Sequence, residues 1–117
     1  MNYFDKKETS CRCGCGYDIQ DRTRAMLNKT REACGFPLIV NSGARCESWN
    51  LKQGGAKQSD HLKGLACDIQ FKTNEQLFKI IKYAIQSGFN RLFLYGEKGF
   101  IHLGYGNNKE NIFEVKE

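Results

Sequence analysis

The chain holds only two histidines, His61 and His102. His61 stands in Ser59-Asp60-His61-Leu62-Lys63-Gly64-Leu65-Ala66-Cys67-Asp68, and His102 in Gly99-Phe100-Ile101-His102-Leu103. Two imidazoles and a carboxylate form a donor set that zinc binds well. Three protein ligands leave a fourth position for water, which separates a catalytic centre from a structural one. His61, Asp68 and His102 are therefore the candidate metal ligands. On one helix, the spacing of His61 and Asp68 would separate them by about 10 Å of rise, too far to share an ion. A bend at Lys63-Gly64, with Asp68 on the next strand, brings the pair together, and an antiparallel neighbour can deliver His102.

The elements that must do this positioning are legible as patterns. Residues 1–17 read as an arm with a glycine- and cysteine-rich turn. From Asp18 a helical face runs through Ile19, Thr23, Met26, Leu27, Thr30, Ala33 and Cys34. Asp18 or Asp21 is its expected cap, and Gly35 with Pro37 its expected stop. Leu38-Ile39-Val40 reads as a short buried strand entering the loop Asn41-Ser42-Gly43-Ala44-Arg45. Cys46 to Lys52 form a helical turn or two before Gly54-Gly55. Leu65 to Phe71 read as a strand with Leu65, Cys67, Ile69 and Phe71 on one face, which turns Ala66, Asp68 and Gln70 toward a cleft. Thr73 and Gln76 match a capping box ahead of the stripe Leu77, Ile80, Ile81, Ala84 and Ile85, with Gly88 as the stop. Arg91 to Tyr95 and Phe100 to Leu103 read as strands joined by the hairpin Gly96-Glu97-Lys98-Gly99. Asn111 to Val115 read as an edge strand. The order implies an α+β domain with a mostly antiparallel sheet and two main helices.

A chain of 117 residues, 40% apolar and 26% charged, fits one globular domain over 1–117 with a modest core. The net charge of +5 comes from scattered basic residues and reads as a solvated surface, not as a nucleic-acid footprint. No apolar run approaches the roughly 20 residues of a membrane span. The N-terminus lacks the charged-then-apolar order of a secretory signal, so the expectation is a protein that is cytoplasmic as synthesised. Three of the six cysteines crowd into Cys11-Arg12-Cys13-Gly14-Cys15, and the others are Cys34, Cys46 and Cys67. Cys11 and Cys15 have the spacing of a zinc pair, but no second pair exists downstream. A cysteine site would have to draw in Cys34 or Cys46, and small, partly buried free thiols are the expectation. Cys67, opposite in facing to Asp68, reads as core.

The run Ser59-x-His61-x-x-Gly64-x-Ala66-x-Asp68 resembles the signature of the M15 zinc peptidases. These are the D-alanyl-D-alanine carboxypeptidases and dipeptidases and the L-alanyl-D-glutamate endopeptidases of phage endolysins. Phe100-Ile101-His102 resembles their third-ligand segment, Ser42-Gly43-Ala44-Arg45 their Ser-Gly-x-Arg stretch, and Gly54-Gly55-Ala56 the link before the histidine. The cysteine-glycine cluster is similar to that of small members of the branch, and the likeness covers roughly 1–104. It implies a Hedgehog/DD-peptidase-like fold, Zn2+ held by His61, Asp68 and His102, and hydrolysis of peptide bonds in peptidoglycan. It further implies that Arg45 holds a substrate carboxylate or polarises the scissile carbonyl, and that Ser59 lies beside the site.

Many family members place an acid three residues before the last histidine, where this chain has Gly99. Other branches place one two residues after it, where this chain has Gly104. Glu97, five residues upstream, is then the candidate general base, with Arg45 as its catalytic partner. Tyr95 and Trp49 are candidate cleft walls. The expected partner is a peptidoglycan peptide, with no nucleic acid and no membrane span, acted on by a monomer. The expected setting is the cell wall, reached in a phage lysis enzyme through a holin. A non-catalytic zinc-stabilised binding module on the same fold is the alternative, because positions 99 and 104 lack acids.

Overall fold

A computed structural model of the chain describes residues 1–106 and 110–116. Among these residues lie four α-helices: α1 (Lys6–Thr9), α2 (Asp21–Cys34), α3 (Glu47–Lys52) and α4 (Asn74–Ser87). Five strands accompany them: β1 (Ile39–Ser42), β2 (Ala66–Gln70), β3 (Arg91–Tyr95), β4 (Phe100–Gly104) and β5 (Ile112–Lys116). The strands form one sheet in the order β1-β2-β4-β3-β5. The first three pairings are antiparallel and β3 pairs with β5 in parallel, so the α+β architecture carries a mixed sheet with an antiparallel majority.

The alternation of β2 sorts its side chains as the sequence implies. Cys67 and Ile69 join Ile101, Leu103 and Leu92 from the neighbouring strands. Together they pack with Met26, Leu27 and Cys34 of α2 and Ile80 and Ala84 of α4 in one core. The opposite face is left for the cleft. One ladder of paired residues crosses the whole sheet on that face: Ser42, Asp68, His102, Phe93 and Glu114. Ser42 reaches it only because β1 bulges between Val40 and Ser42, which inserts one residue and re-aims the end of the strand.

Several local expectations change. The arm is not irregular throughout, because Asp5 and Glu8 form a reciprocal capping box that nucleates α1. Neither Asp18 nor Asp21 caps α2. Gln20 is the cap position, with no side-chain capping bond, while the Asp18 carboxylate accepts from Thr9 Oγ1 at 2.7 Å and pairs with Arg24 at 2.9 Å. Gly35 does end α2 in the left-handed region, at φ 77°. Ala33 and Ile85 lie on exposed flanks of their stripes. In α4, Thr73 Oγ1 accepts from the Gln76 amide, but the Gln76 side chain reaches back to the amide of Lys72, one residue before the expected partner. No helix among the described residues is long and apolar enough to cross a membrane.

Candidate metal centre

His61 is presented by a 3-10 turn over Asp60–Lys63, whose start is capped by Ser59 Oγ accepting from the His61 amide at 3.2 Å. Gly64 ends the turn at φ 70°, and a Cβ there would come within 3.2 Å of backbone atoms of Asp18 and Gln20. This close approach lets the Gly64 carbonyl accept from the Gln20 amide and the Thr23 hydroxyl, anchoring the turn to the start of α2. Asp68 and His102 are placed by strand register, since they face each other across β2 and β4.

The three side chains meet in a tight triangle. His61 Nε2 to Asp68 Oδ1, His102 Nδ1 to Asp68 Oδ1, and His102 Nδ1 to His61 Nε2 are each 3.2 Å. All three residues are buried, at 3%, 4% and 7% exposure. The far side of each ring sets its tautomer. His61 Nδ1 lies 2.7 Å from the Gly43 carbonyl, which can only accept, so Nδ1 carries the proton and Nε2 offers a lone pair. His102 Nε2 lies 3.6 Å from Asp60 Oδ2, longer than a hydrogen bond but placed to draw the proton to that side and leave Nδ1 bare. Three lone-pair atoms at mutual contact repel one another unless a cation sits among them. A tetrahedral ion with bonds of 2.0–2.1 Å would space its ligands by about 3.3 Å, so these residues fit zinc.

Without an ion the same cluster holds together by protons. In the metal-free protein, where a ring can instead turn a proton toward Asp68, burial opposes ionisation of Asp68, yet hydrogen bonds from His102 and His61 outweigh it and hold the carboxyl well below the usual carboxylate range. Burial likewise opposes protonation of His102, but Asp60 and Asp68 outweigh it and raise its pKa above the ordinary imidazole value. The second oxygen of Asp68 takes Arg45 at 3.4 Å, and Arg45 also donates to Ser42 Oγ and Asn50 Oδ1. Gly55 permits this, because a Cβ there would fall 2.1 Å from Asn50 Oδ1.

The triangle opens into a cleft of about 570 Å³ whose wall includes Arg45, Ser59, Phe93, Tyr95 and Lys98. Tyr95 stacks on Phe100 with ring centroids 4.7 Å apart. Arg45, Ser59 and Tyr95 are thus brought to the site with His61, Asp68 and His102. Trp49 and Glu97 are not brought there. Trp49 is half-buried on α3 and is not part of the cleft wall. Glu97 is exposed on the β3–β4 turn and is also absent from the wall, although Lys98 beside it lines the cleft. Sequence reasoning missed Asp60 and Arg91, which pair at 2.8 Å beside His102. Asp60 could have been noticed as an acid inside the signature, next to a ligand. Arg91 carries no such local mark.

A family model described as Peptidase M15 matches residues 2–104, a span that includes all three triangle residues and ends with β4. No curated protein matches the chain.

Proposed function

The chain belongs to the Peptidase M15 family, and we propose that it is a zinc-dependent peptidase hydrolysing a peptide bond in the stem peptides of bacterial peptidoglycan. The observation that carries this reading is the buried triangle of 3.2 Å contacts, with the His61 tautomer set from behind by the Gly43 carbonyl. Bound zinc supplies a polarising charge for the scissile carbonyl and an acidified water. Arg45 uses three donors on Ser42, Asn50 and Asp68, and a guanidinium has five, so donors remain for a substrate carboxylate or a developing oxyanion. Arg45, Arg91, Lys98 and Lys116 on the wall outnumber Asp60 and Asp68, which favours a substrate rich in carboxylates, as stem peptides are. Tyr95 and Phe100 offer a flat apolar wall for the peptide, and Ser59 keeps its hydroxyl proton to donate. Glu97, as general base, must reach over the rim from the hairpin turn. A wall-lytic role accords with that substrate.

The test is release of new peptide termini from purified peptidoglycan, with and without a chelator. Chelator-sensitive release is expected, and none on any wall chemotype would remove the proposal. One observation favours the second reading, a zinc-stabilised binding module without turnover. The only carboxylates on the cleft wall among the described residues are Asp60 and Asp68, and both are engaged by arginines. Glu97→Gln separates the two. Loss of turnover supports Glu97 as base, unchanged turnover removes it from that role, and wall binding without turnover in both proteins supports the module.

A further inference from the structure

A second group of ligand-type side chains lies outside the cleft. Cys11, Cys13, Cys15 and Cys46 place their sulfurs within 4.8 Å of one another. Cys11 to Cys13 is 3.4 Å, Cys13 to Cys46 is 3.6 Å and Cys11 to Cys46 is 3.7 Å. We propose that these four thiolates form a structural zinc site that clamps the N-terminal arm to the loop carrying Arg45.

The spacing argues for a metal over the other states of a thiol. Tetrahedral zinc with Zn–S bonds of about 2.3 Å separates its sulfurs by about 3.8 Å, close to the contacts here. A disulfide joins sulfurs two at a time at about 2.05 Å, and cannot account for three sulfurs that are mutually close. Burial of small apolar side chains does not account for them either. Cys34 and Cys67 show that behaviour, at 6% and 0% exposure in the core, whereas Cys13 and Cys15 are exposed and still converge. The backbone is shaped for the task. The turn from Cys11 closes through the Gly14 amide onto the Cys11 carbonyl, and Gly14 and Gly16 both take positive φ, at 87° and 89°. The Cys46 amide donates to Cys11 Sγ at 3.4 Å, which would stabilise negative charge on that sulfur. Arg12, between two of the cysteines, fixes the turn by donating to the carbonyls of Lys7, Ser10 and Val40. Entry of the ion releases the thiol protons to solvent, and four soft ligands with no position left for water select zinc over hard cations.

The site is complete without the histidine triangle, so the two can be read separately. Metal per chain is measured by elemental analysis on protein expressed with added zinc. Two equivalents are expected in the parent, one in His61→Ala and one in the Cys13→Ser/Cys15→Ser double variant. Because the double variant can fail to fold, His61→Ala is also loaded with cobalt(II). Intense near-ultraviolet thiolate-to-cobalt charge transfer is expected. Absence of that band in soluble His61→Ala would overturn the proposal. So would an intact mass of the native protein lowered by the two hydrogens of a disulfide among these cysteines. Loss of peptidase activity alone bears on the first site only.

Discussion

Gly104 stands two residues past the last histidine, where some branches of the family carry an acid. A Cβ there would lie 2.8 Å from Asp60 Oδ2 and 2.9 Å from His102 Nε2. The glycine therefore makes the room in which Asp60 meets the back of His102. Asp60 lies on the side of the ring away from the triangle, so under the proposed function it would orient His102 and not face a metal-bound water. Asp60→Asn should keep the fold and weaken zinc binding by about 10–100-fold, read by competition with a chromophoric chelator. Gly104→Ala should weaken it in the same direction, and an unchanged affinity in both would remove Asp60 from this role. The ligands also set a pH window for the metal-free protein. His102, with its raised pKa, contributes stability fully below the ordinary imidazole value of 6.5 and loses it as pH rises through the folded value. Asp68, with its depressed pKa, contributes fully above the ordinary 3.8 and loses it as pH falls through the folded value. The chelated protein should thus resist urea best between 3.8 and 6.5 and weaken above that range. Added zinc competes with the His102 proton and should reverse the trend on the alkaline side. A chelated midpoint that rises above 6.5 would contradict the assignment.

At the scale of elements, α4 gives the simplest test, because its start depends on one hydroxyl. Thr73 Oγ1 accepts from the Gln76 amide at 3.1 Å, so Thr73→Ala should cost about 1 kcal/mol in urea unfolding and leave metal content unchanged. The same element shows why parts of the fold can be read from sequence. The cap, the stripe through Ile80 and Ala84, and Gly88 are all encoded within one stretch, as are the two faces of β2 on which Asp68 and Cys67 part. The histidine–aspartate triangle is legible for a related reason: its residues have scarce types in a specific local pattern. The rest depends on partners far along the chain. Asp18 looks like a helix cap until Thr9 and Arg24 claim it. Ser42 looks like a loop residue until the bulge in β1 sets it opposite Asp68. Glu97 looks close to His102 by residue count, yet its side chain is exposed while Lys98 on the same turn lines the cleft. The parallel pairing of β5 with β3 leaves no signature in either strand alone, and neither does the approach of Cys46 to the cysteine turn.

At the scale of the molecule, the arm and the metal triangle form one connected structure. Arg24, on α2, donates to the Phe4 carbonyl at 2.7 Å and to Thr9 Oγ1 at 2.7 Å, and pairs with Asp18 at 2.9 Å. Phe4 and Thr9 are buried by this clasp. The Thr9 carbonyl then accepts from the Ala44 amide at 2.9 Å, and the arm lies so close that a Cβ on Gly43 would fall 2.1 Å from that carbonyl oxygen. The Gly43 carbonyl in turn receives His61 Nδ1, and the next residues present Arg45 to Asp68. A chain of contacts therefore runs from the arm to both sides of the metal site. Arg24→Met keeps the aliphatic stem and removes the donors, so it should cost about 2 kcal/mol of stability. If the arm positions the loop of residues 43–45, the same variant should also bind zinc at the triangle more weakly, measured in a Cys13→Ser/Cys15→Ser background so that thiol-bound metal does not mask the change. Lower urea resistance with undiminished zinc affinity would show that the arm only covers the core, and that the loop holds its position through the bulge in β1 and the Arg45 bonds to Ser42 and Asn50.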